Sequence, residues 1–80
     1  MENKIIGLHL KAERIIKDVN PEDLANLIGK HKETYKRYEK GQIGIDAKDL
    51  VTILDYLKTD ISNFFDKVCE DIRKEKNLFL

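Results

Sequence analysis

Residues 20 to 41 read NPEDLANLIGKHKETYKRYEKG, and this run limits the fold more than any other part of the chain. Asn20 suits an N-cap, Pro21 the first helical position, and Asp23 the first turn of a helix. Leu24, Ala25, Leu27 and Ile28 give that helix one apolar face over about two turns. Gly29 ends it, because glycine accepts the left-handed backbone of a helix terminus. A second pattern starts at His31 or Lys32, runs to about Glu39 and is closed by Gly41. The spacing predicts short helices over 21–28 and 32–39, joined by a tight turn at glycine. The second is dense in lysine and arginine.

Elsewhere the periodicity is also helical. A first helix is expected over about 3–17, a fourth over 46–58 with Asp46 as N-cap, and a fifth from Asp60 or Thr59 to about Lys76. No strand alternation is present. Residues 40–45 form a loop with two glycines. Eighty residues, 41% hydrophobic and 38% charged, make a single all-α domain over 1–80 with a small core. No apolar run approaches the ~18 residues of a membrane span, and the N-terminus lacks the apolar core of a signal peptide. The lone Cys69 excludes an intrachain disulfide and is compatible with a reducing cytoplasm. It is expected as a small core or interface residue.

Two short helices joined by a glycine turn form a helix-turn-helix, whose second helix enters the major groove of DNA. Further residues fall in register with it: Ile6-Gly7, Leu10 and Arg14 on the first helix, Val19-Asn20 and Leu24-Ala25 at the second, and Tyr38-Glu39-Lys40-Gly41 at the end of the third. Leu50, Ile53, Leu54 and Leu57 follow on the fourth, then Asp60, Ile61 and Phe64-Phe65. In these positions the chain resembles the lambda repressor and Cro type of helix-turn-helix domain, the xenobiotic response element family, over about residues 5–66.

That resemblance implies a compact five-helix domain that binds double-stranded DNA. It assigns base contacts to Lys32, Glu33 and Arg37, with His31 and Lys36 beside them. Arg37 or Lys32 can donate to guanine and Glu33 can accept from cytosine. Phosphate contacts are expected from Asn20 at the start of helix 2, from Lys30 in the turn, and from Lys40 and Gln42 after the recognition helix. Arg14 and Glu39 match positions that form a partly buried ion pair fixing the third helix against the first. Tyr35 stands where the family has a smaller aliphatic residue, and Glu13 where an apolar one is common.

The net charge is zero, but it is unevenly spread. Residues 29–42 hold five cations against two acids, a net +3, and residues 46–71 hold seven acids against three lysines, a net −4. Such polarity orients a protein on a polyanion. Beyond its expected core face, helix 1 carries a second apolar stripe of Ile5, Leu8, Ala12, Ile15 and Ile16. Helix 5 carries Ile61, Phe64, Phe65, Val68 and Ile72, and the chain ends Leu78-Phe79-Leu80. These surfaces call for cover, from helix 5 folding onto helix 1, from a second subunit, or from both. The candidate dimer residues are Ile61, Phe65, Val68, Ile72, Leu78 and Phe79, within a C-terminal segment 60–80.

Catalysis is not expected. His9 and Glu13, four apart on helix 1, read as a surface pair; two ligands do not make a zinc site. No nucleophile, base and orienter share a local spacing, and neither a cofactor nor a small-molecule ligand is implied. The expected function is a homodimeric repressor bound to a palindromic operator, of the size of a phage or plasmid switch, a restriction-modification controller or an antitoxin. The alternative is a helix-turn-helix fold used to bind protein, to which the zero net charge and Glu33 are suited.

Overall fold

The computed structural model describes residues 2–77, with side chains to residue 75. Five helices follow in order: α1 (Glu2–Ile16), α2 (Pro21–Leu27), α3 (Lys32–Lys40), α4 (Ala47–Tyr56) and α5 (Ile61–Asn77). No strand is present among the described residues. Two helix starts have side-chain caps. Asp46 accepts from the Asp49 N–H at 2.7 Å, and Asp60 accepts from the Asn63 N–H at 3.0 Å. Asn20 has the extended backbone of a cap but its side chain makes no capping bond.

The first four helices end in one repeated device. At each end a residue with positive φ donates back three positions, and the next residue donates back five. After α1, Asp18 donates to Ile15 and Val19 to Arg14. The pairs after α2, α3 and α4 are led by Gly29, Gly41 and Lys58. Each of these four helix ends is therefore closed by the same hydrogen-bonded turn.

The core is built from Leu10, Leu24, Ala25, Tyr35, Tyr38, Leu50, Ile53, Leu54, Leu57, Phe64 and Val68. α1 lies against both α3 and α5, and α2 against α3 and α4. Gly7 lets α1 meet α3 backbone to backbone. A Cβ there would sit 2.5 Å from the Glu39 carbonyl oxygen and closer still to that of Tyr38.

α5 folds back onto α1 within the same chain. Val68 is buried there, and Ile61 and Ile72 are half-buried against the core. Val68 is thus removed from the candidate dimer surface, because its apolar area is already spent inside the chain. His9 does not pair with Glu13. It bonds Asp71 of α5 at 2.6 Å and meets the Phe64 ring edge-on. Glu13 accepts from Thr59 and lies 4.0 Å from Lys67. Cys69, expected inside or at an interface, is exposed. Leu8, Ile15 and Ile16 remain in water at 62%, 57% and 70% exposure, and Phe65 at 37%. Leu78 and Phe79 lie outside the described residues.

Candidate nucleic-acid interface

The α2–turn–α3 unit is held at both ends of α3. Tyr35 and Tyr38 fall three apart and so share the face turned into the core, where both are buried. Glu39, one residue beyond Tyr38, is left at the edge with its side chain only 7% exposed. Arg14 reaches it from α1 with two bonds, Nε to Oε2 at 2.6 Å and Nη2 to Oε1 at 3.2 Å. The planar guanidinium suits such two-point binding of a carboxylate. Its Nη1 donates to the Val19 carbonyl at 3.0 Å, so one side chain joins α1, the turn before α2, and the end of α3. Tyr35 completes the cluster by donating its hydroxyl to Glu39 Oε2. Burial, and then that hydrogen bond, push the Tyr35 phenol far above its ordinary range.

The other end of α3 is fixed through Lys30. Its ammonium donates to the Tyr38 hydroxyl at 2.6 Å and to the carboxylate of Asp49, and lies 3.6 Å from Asp46. Those bonds, to Asp49 first, raise the Lys30 ammonium well above its ordinary range. Lys30, expected at a phosphate, has its charge met by two acids at the start of α4. Asp49 was missed as its partner. The only local signal is its place three residues after the Asp46 cap.

The outer face of α3 is differently disposed. His31, Glu33, Arg37 and Lys40 are exposed. Lys32 is half-buried and lies 3.6 Å from Glu22 of α2. Lys36 is half-buried on the flank nearer Glu39. Glu33 and Arg37 do not pair, although they stand four apart on one helix. Asn20 and Gln42 are exposed at opposite ends of the unit, each with an uncommitted carboxamide. The arrangement is a rigid helix that presents one acid, one guanidinium and an imidazole outward, flanked by ammonium groups. Such a set can hydrogen-bond base edges and phosphates. No group of three or more metal-ligating side chains gathers among the described residues.

A short helix, a glycine turn and a braced second helix inside an all-α bundle define a helix-turn-helix domain. The chain belongs to the Cro/C1-type helix-turn-helix family, whose family model matches residues 10–64. Two crystal structures of the clp gene regulator ClgR from Corynebacterium glutamicum share the fold. One, 14% identical, gives a TM-score of 0.85 over 98% of this chain and 83% of that one. The other, 15% identical, gives 0.79 over 89% and 92%. No curated protein matches the sequence. No described helix is long and apolar enough to cross a membrane.

Proposed function

We propose that this protein is a sequence-specific regulator of transcription that binds double-stranded DNA in the cytoplasm as a homodimer and represses by occupying a palindromic operator. The observation that carries this reading is the contrast on α3. Its inner side and both ends are locked by Tyr35, Tyr38, Glu39 and Lys30, while His31, Glu33 and Arg37 stand exposed and unpaired. A helix held this firmly loses little freedom when its outer side chains meet bases. Arg37 contacts a guanine, Glu33 accepts from cytosine, and Lys32 and His31 read the neighbouring position. Asn20, Lys40 and Gln42 hold the backbone on either side. The exposed Ile15, Ile16 and Phe65 support a second subunit, whose recognition helix then lies about 34 Å away, one turn of DNA.

Selection from random duplex DNA tests the reading. The wild-type protein is expected to enrich a two-fold symmetric sequence and to sediment as a dimer at tens of micromolar. Arg37→Ala should lose about 1–3 kcal/mol on that sequence and relax preference at one base pair. The same exposed apolar residues and zero net charge favour a second reading, a protein-binding module. Failure to enrich any sequence at low salt would select that one.

A further inference from the structure

A groove of about 370 Å³ lies between α1, the start of α2 and the flank of α3, beside the recognition face. Its floor is the Arg14–Glu39 pair, whose charges cancel and whose polar atoms are mutually satisfied. Leu8 and Pro21 form apolar sides. Three lysines also line it, Lys11 from α1 and Lys36 and Lys40 from α3. None of the three has an ion-pair partner among the described residues, in contrast to Lys30, Lys32 and Lys67. The groove is thus a concave place of net +3 with no acid left to balance it. A neutral ion-paired floor repels no anion, and three cations around one hollow repel each other until an anion enters.

We propose that this groove seats one backbone phosphate of the DNA whose bases α3 reads, bound by Lys11, Lys36 and Lys40 together. The inference rests on the DNA-binding reading above and extends it in two ways. It adds Lys11, which lies outside the helix-turn-helix unit, as a binding residue. It also moves Lys36 from base reading to phosphate positioning. Leu8 and Pro21 would then line the flanking deoxyribose, which explains an apolar rim around a basic hollow. Seating one phosphate from two helices sets how far α3 enters the groove, since α1 and α3 are locked together by Arg14 and Glu39.

The test uses the selected duplex and a salt series. Lys11→Ala and Lys36→Ala should each flatten the slope of log K against log salt, together by no more than the about 0.9 that one phosphate contributes, and leave the preferred sequence unchanged. Lys11→Arg should restore the slope, and Lys48→Gln, on the exposed start of α4, should not alter it. Replacing backbone phosphates one at a time by neutral methylphosphonates should reveal one position that weakens the wild type and has little effect on Lys11→Ala. An unchanged slope for Lys11→Ala, with wild-type sequence preference intact, overturns the phosphate seat alone. So does relaxed base preference in Lys36→Ala. Absence of DNA binding by the wild type overturns both readings.

Discussion

The Tyr35 hydroxyl and Arg14 Nε both donate to the same oxygen of Glu39. The aromatic residue that departs from the family pattern thus serves as a second partner for the buried carboxylate and gives it a third hydrogen bond. Glu39→Ala should cost on the order of 3 kcal/mol, because it strands the Arg14 charge. Tyr35→Phe should cost about 1.5 kcal/mol in the wild type and much less once Glu39 is gone. Urea denaturation of the single and double variants measures the coupling. Additive losses would show that the cluster carries none.

Gly7 and Gly29 should respond very differently to alanine. At Gly7 the added Cβ meets the main chain of Tyr38 and Glu39, which no rotamer change can move aside. Gly7→Ala should cost at least ~3 kcal/mol or abolish cooperative unfolding. Gly29, at φ 66°, has open space around its Cα. There the cost should be about 1 kcal/mol, from backbone strain alone. Thermal unfolding followed by circular dichroism separates the two. Equal losses would argue against the close α1–α3 approach.

The Asp46 carboxylate is held below its ordinary value of 3.8, chiefly by the Asp49 N–H and then by Lys30. A depressed value stabilises the fold above 3.8 and loses that effect as pH falls through the lower, folded value. Asp46→Asn keeps an acceptor for the cap but removes the charge. Its stability deficit should be constant above about pH 5 and close below 3.8. A deficit that persists unchanged at pH 2 would assign it to the cap rather than the charge.

Lys58 adopts φ 55° at the end of α4, and its side chain is exposed. Lys58→Gly should raise stability by about 1 kcal/mol by relieving that strain. A lower denaturation midpoint would mean the lysine contributes something its surroundings do not show.

Asp18 and Lys58 also mark where the sequence stops being legible. The turns after α2 and α3 could be read from Gly29 and Gly41, whereas the identical turns at Asp18 and Lys58 carry no residue that requires a positive φ. The helix start at Asp46 is legible because a cap is a local interaction. That of α2 comes from Pro21 rather than from a capping bond, and the last is narrowed to Asp60 or Thr59. Helical period places Tyr35 and Tyr38 on one face of α3 and Glu33 and Arg37 on the opposite one. The fate of Lys30 is not legible, since its acid lies 19 residues ahead and meets it only once α4 has packed. The apolar face of α5 was visible too, but a period says which residues face inward without saying what they face. His9 and Asp71, 62 residues apart, supply that answer.

The Lys30–Asp49 contact has a consequence for genetics. Asp49 belongs to α4, away from the outer face of α3, yet it anchors the turn from which α3 departs. Alleles at Asp49 that leave enough folded protein should therefore behave in a screen like alleles of the reading head itself. A map of loss-of-binding mutations would place Asp49 at the DNA, although its part is to keep the pointer straight.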